Sequence, residues 1–194
     1  MTIATLLRHV GVDVPRYVTV DGEIVLDPPA APAIYTSVAP HRFHGGEDPA
    51  PSRDDRSGAW WIVDPVAKEA DKAAMATAFP SFYCLDDDGD YAFSGTLRTG
   101  RGNFEIMVLP QVDMSLPSVY PKPGLRLGRP AGRKFVYAPH LYLSGALCVA
   151  DRGDWKKEDH TTATVVAWAA HWFCAYTEWR FTNRWPTDGY GKVA

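Results

Sequence analysis

The cysteines lack the pattern of a disulfide-stabilised fold. The 194 residues contain Cys84, Cys148 and Cys174, an odd number without a CxxC pair. Disulfide frameworks use even sets of cysteines, so we predict three free thiols in a reducing compartment. Residues 41–44 (HRFH) hold two histidines but have no cysteine pair or third ligand nearby, so no metal site is predicted and no cofactor is implied.

Long apolar runs and strong net charge are also missing. The longest apolar-rich stretch, residues 163–176, is interrupted by His171 and is shorter than the ~20 residues of a membrane span. Residues 1–15 break their apolar run with Arg8 and His9, unlike a secretory signal. A net charge of −3 argues against direct nucleic-acid binding. We therefore predict a cytoplasmic protein with no membrane or nucleic-acid partner.

One basic stretch stands out against this background. We interpret it either as a solvated loop or as a docking surface for an acidic partner. Its members are Lys122, Arg126, Arg129, Arg133 and Lys134.

Residues 1–60 are predicted to form an N-terminal arm or extension. A short helix is expected over residues 2–10, followed by a hairpin over 16–26, because Asp21-Gly22 favours a type I′ turn. Residues 28–58 are rich in Pro, Gly and charge, which is typical of an extended linker.

Residues 61–194 are predicted to be one α+β domain, because 46% hydrophobic residues suffice for a sizeable core. Asp64-Pro65 indicates the start of a helix over residues 64–79. An antiparallel meander is expected next, with an edge or irregular crossing at the prolines of 110–124. Its strands are predicted at residues 81–85, 91–97, 103–109 and 133–139.

The last long element is predicted to be a helix over residues 161–179. Its apolar residues recur at steps of three and four and are expected to face the core, with Pro186 preventing continuation. They are Val165, Trp168, Trp172, Tyr176 and Trp179.

Between meander and helix lies APHLYLSGALCV, residues 138–149. Its Gly145 relaxes the backbone just before Cys148, and charged residues follow from Asp151 onward. This composition is typical of a surface loop, so we expect an accessible thiol at Cys148. Cys84 and Cys174 are expected to lie in or near the core.

The element order and this segment resemble the ubiquitin-conjugating (UBC-like) family over residues 64–186. In that family a helix precedes a four-stranded meander, and a proline-rich exit leads to the pattern HPNIYxxGxICL. LPSVYP (116–121) occupies the place of the exit, and residues 138–149 match the pattern. The trailing Trp155 and the tryptophan-rich helix look most like divergent bacterial members from CBASS-type antiphage-defence operons.

The resemblance implies an α+β, UBC-like fold and a set of site residues. Pro139 falls on the motif proline, Gly145 on the turn glycine and Cys148 on the catalytic nucleophile. Ala138 replaces the motif histidine, and His140 replaces the asparagine that supports transfer. Cys148 and His140 are therefore the predicted catalytic residues.

The implied function is a cysteine-dependent acyltransferase. Cys148 would accept a protein C-terminus or a ubiquitin-like modifier as a thioester and pass it to an amine. The implied partners are an adenylating enzyme and either a ubiquitin-like protein or a nucleotidyltransferase that makes cyclic nucleotides. Asp154, Asp159 and His160 are further candidates for removing a proton from the amine.

Two alternatives stay open at this point. In one, the chain is a non-catalytic UBC-like binding module in which Cys148 is structural, since free cysteines are often buried. In the other, it is a cysteine hydrolase, which requires the imidazole of His140 or His160 within hydrogen-bond reach of the sulfur.

Overall fold

The computed structural model describes residues 16–26, 34–44, 58–87 and 89–191. The helix predicted at residues 2–10 lies outside them. Three α-helices are described: α1 (Trp60–Val63), α2 (Pro65–Ala78) and α3 (Thr162–Thr182). Within these residues no helix is long and apolar enough to span a bilayer.

The strands form small antiparallel sheets, which confirms the α+β class. In chain order they are β1 (Tyr17–Thr19), β2 (Ile24–Val25), β3 (Tyr35–Ser37), β4 (His41–Arg42), β5 (Tyr83–Asp87), β6 (Asp90–Arg98), β7 (Asn103–Leu109), β8 (Ser118–Pro121), β9 (Gly128–Ala131), β10 (Lys134–Tyr137) and β11 (Gly189–Tyr190).

The main sheet is a four-stranded meander in the order β5-β6-β7-β8. Its first turn lies between the first two predicted strands, where Asp87 pairs with Asp90 and Gly89 adopts a positive φ of 84°. Its fourth strand is not the predicted one. Ser118–Pro121 pairs with β7, whereas β10 pairs with β9 in a separate hairpin. The segment with prolines is thus the edge strand, where missing N–H donors cost least.

Helix α2 begins as its sequence predicts. The Asp64 side chain accepts a hydrogen bond from the N–H of Ala67 (2.9 Å), and Pro65 occupies the first helical position. Helix α3 ends three residues later than predicted, at the cap residue Asn183, whose left-handed conformation (φ 62°) terminates it before Pro186.

Helix α3 lies in the centre of the fold. Its predicted stripe is buried, together with residues on its other sides. Helix α2 and strands β2, β3 and β7 contact it, and Phe104 of β7 stacks on Phe173 with ring centroids 4.2 Å apart. A helix covered on several sides needs apolar residues all round, which explains the density of Ala and Trp.

The described parts of the N-terminal arm are ordered strands rather than an extended linker. The predicted hairpin forms between β1 and β2 with Gly22 at φ 100°, and β3 adds to it. Strand β4 pairs with β11 near the other end of the chain. The division of the chain at residue 60 stays a prediction.

One buried carboxylate joins three elements. Asp71 of α2 accepts hydrogen bonds from the Tyr91 hydroxyl (2.9 Å) of β6 and from the N–H (2.6 Å) and hydroxyl (2.7 Å) of Thr162. Thr162 opens α3, so the negative charge also lies where a helix terminus favours it.

Replacing Asp71 with alanine should destabilise the fold. The change leaves the Tyr91 hydroxyl and the Thr162 N–H buried without an acceptor, which should lower the free energy of unfolding by about 2–4 kcal/mol. Urea denaturation measures this value. Glu69→Ala, an exposed position on the same helix, is the control and should change it by less than about 0.5 kcal/mol. Equal decreases in the free energy of unfolding at both positions would contradict the role of Asp71 in joining the three elements.

Candidate active site

The segment 138–150, the Cys148 loop, is held as a narrow two-limbed turn. The Tyr142 carbonyl accepts a hydrogen bond from the N–H of Gly145 (2.9 Å), whose φ of 85° closes the turn. The N–H of Leu147 donates to the Val119 carbonyl (2.8 Å) of strand β8. Strand β8 of the meander thus fixes the limb of the loop that contains Leu147, and Cys148 is the next residue.

His140 fixes the other limb through its backbone. It adopts a left-handed conformation (φ 56°), which histidine enters more readily than most residues. Its carbonyl accepts hydrogen bonds from the N–H of Cys148 (3.0 Å) and from Nε1 of Trp172 (3.1 Å). The loop is therefore tied to helix α3 at the position next to the thiol.

The sulfur of Cys148 is enclosed, contrary to the expectation of an accessible thiol. Cys148 is 0% exposed. Its Sγ lies 3.2 Å from the Tyr142 hydroxyl and 3.9 Å from the Ala150 carbonyl oxygen. The His44 backbone also bonds the sulfur. The loop composition indicated exposure, but this cover comes from a segment about a hundred residues earlier in the chain.

That covering segment, residues 39–44, is named the strap here. At its start, the Ala39 carbonyl accepts Nε1 of Trp168 (2.9 Å), and the His41 ring is fully buried against His171 (3.0 Å between nitrogens). At its end, the His44 carbonyl accepts Nδ1 of His140 (2.5 Å) while the His44 side chain is exposed.

The middle of the strap is held by two backbone donors. The N–H of Arg42 donates to Oδ2 of Asp154 (2.6 Å), and the N–H of Phe43 donates to the Asp188 carbonyl (2.8 Å). The strap is therefore anchored at its start by Trp168 and the buried His41, and farther on by the buried Phe43 ring and by hydrogen bonds of its own backbone.

The electrostatic surroundings keep the thiol protonated. Burial raises the pKa of Cys148, while hydrogen bonds from Tyr142 and the His44 backbone lower it to a smaller extent. Burial also raises the pKa of Tyr142. The phenol therefore stays protonated and can donate to a thiolate.

Asp154 has a structural position rather than that of a free base. It is buried, and Oδ2 accepts from the N–H groups of both Arg42 and Asp151 (3.1 Å). Its predicted role in proton removal has no support from these contacts.

His160 and Asp159 line a cavity of about 260 Å³ that Cys148 does not line. Nδ1 of His160 accepts the N–H of Lys156 (3.2 Å), and burial lowers the pKa of the imidazole. Neither His160 nor His140 makes a side-chain hydrogen bond with the sulfur in the described part of the chain. The geometry required for a cysteine hydrolase is therefore not observed.

A comparison with known protein families matches the part of the chain that contains the loop. The family model of type II CBASS E2 proteins (E2-CBASS) matches residues 71–192, which include the meander, the Cys148 loop and helix α3. The chain belongs to this family. No curated protein and no solved structure matches it.

Membership confirms the resemblance to divergent bacterial E2-like proteins of CBASS antiphage operons. A type II CBASS E2 protein has an E2-like role in that defence, with other components of the system, such as an E1-like enzyme, as partners. The specific donor and acceptor are not part of this finding.

In this type II CBASS E2 protein, two parts of the site, Tyr142 and the strap, were not predicted from the sequence. Tyr142 lies within the motif of residues 138–149, and its hydroxyl is a possible hydrogen-bond partner for a residue on the other limb of the turn. The strap had no comparable signal, because HRFH is separated from the loop by almost a hundred residues.

Replacing Tyr142 with phenylalanine should raise the pKa of Cys148. The hydroxyl stabilises the thiolate, and a hydrogen bond to a charged group is worth about 1.5 kcal/mol, or about one pH unit. The pH dependence of iodoacetamide reaction at Cys148, followed by peptide mass spectrometry, should move upward by that amount. Tyr83→Phe, at an exposed tyrosine, is the control. An unchanged or lower midpoint in Tyr142→Phe would contradict this role.

Proposed function

We propose that Cys148 is the acceptor cysteine of an E2-like acyltransferase in CBASS defence. The thiolate attacks an activated C-terminal carboxyl group of a protein or ubiquitin-like modifier, forms a thioester and releases AMP from the acyl-adenylate. An amine then attacks the thioester carbonyl, an amide forms, the thiolate leaves, and the amine gives up a proton. An adenylating enzyme supplies the activated carboxyl group.

The observation that carries this proposal is the construction of the loop. The turn has His140 in a left-handed conformation and Gly145 at the bend. It holds the N–H of Cys148 on the His140 carbonyl and places the sulfur beside the Tyr142 hydroxyl. The loop lies within the region matched by the E2 family. The order of α2, meander, loop and α3 supports a UBC-like fold.

His140 fits the role of a positioning residue. Its carbonyl orients the backbone of Cys148, and its Nδ1 is bonded to the strap. When the strap is displaced, this Nδ1 donor becomes available to an oxygen of the bound thioester.

The proposal requires that the strap open before a carboxyl group can reach the sulfur. Its end at His44 is the part suited to this movement, since the His44 side chain is exposed and the bonds there are made by the His44 backbone. The buried rings of His41 and Phe43 anchor the rest of the strap, so His44 can move away from a fixed point.

The enclosed sulfur also favours a second candidate, the non-catalytic UBC-like binding module with a structural Cys148. A thiol that is 0% exposed and has a raised pKa meets the description of a core cysteine. The two candidates differ in whether any donor is ever bound to the sulfur.

Thioester formation decides between them. After incubation with ATP, the cognate adenylating enzyme and its donor protein, intact mass should show an adduct that dithiothreitol removes. Cys148→Ala should abolish the adduct, and Cys148→Ser should form an ester that dithiothreitol leaves intact. Cys84→Ala and Cys174→Ala are the matched controls and should load normally. A dithiothreitol-sensitive adduct that persists in Cys148→Ala would count against the transferase. So would the absence of an adduct when the adenylating enzyme is shown to be active by loading another E2 protein.

Strap opening has a test of its own that needs no donor. Arg42→Pro removes the N–H that donates to Asp154, whereas Arg42→Ala keeps it. A hydrogen bond to a carboxylate is worth about 1.5 kcal/mol, so Arg42→Pro should speed iodoacetamide reaction at Cys148 about tenfold. Arg42→Ala loses the side chain alone, so the tenfold difference is expected between the two variants, with Cys84 and Cys174 as internal references.

A second measurement uses the natural chain, so its result does not depend on whether Arg42→Pro folds. Local opening exposes little surface, so the reaction at Cys148 should depend weakly on urea below the unfolding transition. A steep dependence equal to that of global unfolding would show that no separate strap movement exists, as would equal rates in the two Arg42 variants when both are folded.

A further inference from the structure

We propose that the hairpin of β9 and β10, together with Arg126, docks an acidic segment of a protein partner. This surface is called the basic hairpin below. That its partner is the protein loaded on Cys148, or the acceptor of the group it carries, rests on the proposed function.

The sequence around the hairpin has charge of only one sign. Between Asp113 and Asp151 there is no Asp or Glu, although the chain as a whole has a net charge of −3. All five members of the basic stretch, from Lys122 to Lys134, lie between these two residues. An uninterrupted positive region in an acidic protein creates a local field that attracts carboxylates.

The structure leaves most of this charge without an internal counterion. Lys122 pairs with Glu105 (2.7 Å). Within residues 16–26, 34–44, 58–87 and 89–191, the other four basic side chains form no salt bridge. Arg133 and Lys134 are exposed at the hairpin turn, where the carboxylates of a partner can reach them. Guanidinium groups with free donors suit bidentate carboxylate binding.

Aromatic side chains hold the surface in shape. The Arg126 guanidinium lies 4.4 Å from the Phe135 ring centroid and donates to the Tyr137 hydroxyl (3.2 Å). Tyr137 is 59% exposed, and Val136 beside it is also exposed. A mixture of exposed Tyr, Arg and aliphatic groups is typical of protein–protein contact surfaces.

The same arrangement disfavours nucleic acid as the partner. Single strands bind by stacking successive bases on aromatic faces, but Arg126 lies over the Phe135 ring and leaves Tyr137 as the more exposed of the two aromatic side chains. The overall negative charge of the chain also opposes a polyanion more than it opposes a short acidic segment.

The basic hairpin is joined to the Cys148 loop through helix α3. The Tyr176 hydroxyl lies 3.2 Å from the N–H and 3.3 Å from the carbonyl oxygen of Gly128 at the hairpin base. The Tyr176 ring stacks on Trp172 (5.4 Å), whose Nε1 donates to the His140 carbonyl. A partner docked on the hairpin is therefore held at a fixed position relative to the loop.

Charge reversal tests the surface without any loading of Cys148. The probe is a short fluorescein-labelled peptide of alternating Glu and Gly, titrated by anisotropy at low and moderate salt. Arg133→Glu/Lys134→Glu should weaken binding by at least about tenfold, and the natural chain should lose affinity as salt rises. Lys156→Glu/Lys157→Glu changes the net charge equally at another exposed site and should stay within about twofold.

Each other outcome overturns the inference. Equal weakening in both variants would show general electrostatics, and no saturable binding to the natural chain would remove the docking surface. Tighter binding of an oligothymidylate of equal length would show that nucleic acid is the preferred ligand. Circular dichroism confirms that both variants are folded. Because the readout is binding alone, its failure leaves thioester formation on Cys148 as a separate question.

Discussion

The carbonyl oxygen of His140 joins the thiol to the rest of the molecule. It accepts the N–H of Cys148 from one side and Nε1 of Trp172 from the other, so the Cys148 loop is fixed to the buried helix α3. This arrangement requires the left-handed backbone at His140, which directs the carbonyl toward both donors. Because Trp172 is fully buried, the carbonyl position follows from the packing of the core rather than from the loop itself. Loop geometry and core packing are thus one constraint.

The strap adds a second constraint that acts on reactivity. Enclosure deprives the thiolate of water, and the raised pKa of Cys148 is the consequence. A closed thiol is protected from oxidants and stray electrophiles, but it is also a poor nucleophile. In the proposed mechanism, an opening at the His44 end would restore solvent to the sulfur, while Tyr142, which belongs to the loop, would remain beside it. Of the two groups that favour the thiolate, the His44 backbone would leave with the strap and the Tyr142 hydroxyl would stay.

Local signals predicted those elements that local interactions determine. Asp64-Pro65 and Asp21-Gly22 carry their own capping and turn chemistry, and both elements formed where predicted. The fourth strand was misassigned because residues 118–121 and 133–139 are both short and strand-like. Which of them becomes the fourth strand depends on the strand with which it pairs. Gly132 lets β10 fold back on β9 instead of reaching β7. The covered sulfur was beyond prediction for a related reason: composition near Cys148 describes the loop, whereas its cover comes from the distant strap.

The polar surroundings of the sulfur bear on whether Cys148 is merely structural. A cysteine that fills space in a core behaves as a small apolar group and needs no hydroxyl partner. Here a half-buried phenol lies at hydrogen-bond distance, and a backbone donor from the strap points to the same atom. Placing polar groups around a neutral thiol brings little stability, since the desolvation of a hydroxyl opposes the weak bond it makes to sulfur. The same groups become favourable once the sulfur carries negative charge, as it would in the proposed attack on a carbonyl and departure from a thioester. The contacts therefore support a sulfur that alternates between protonated and charged states.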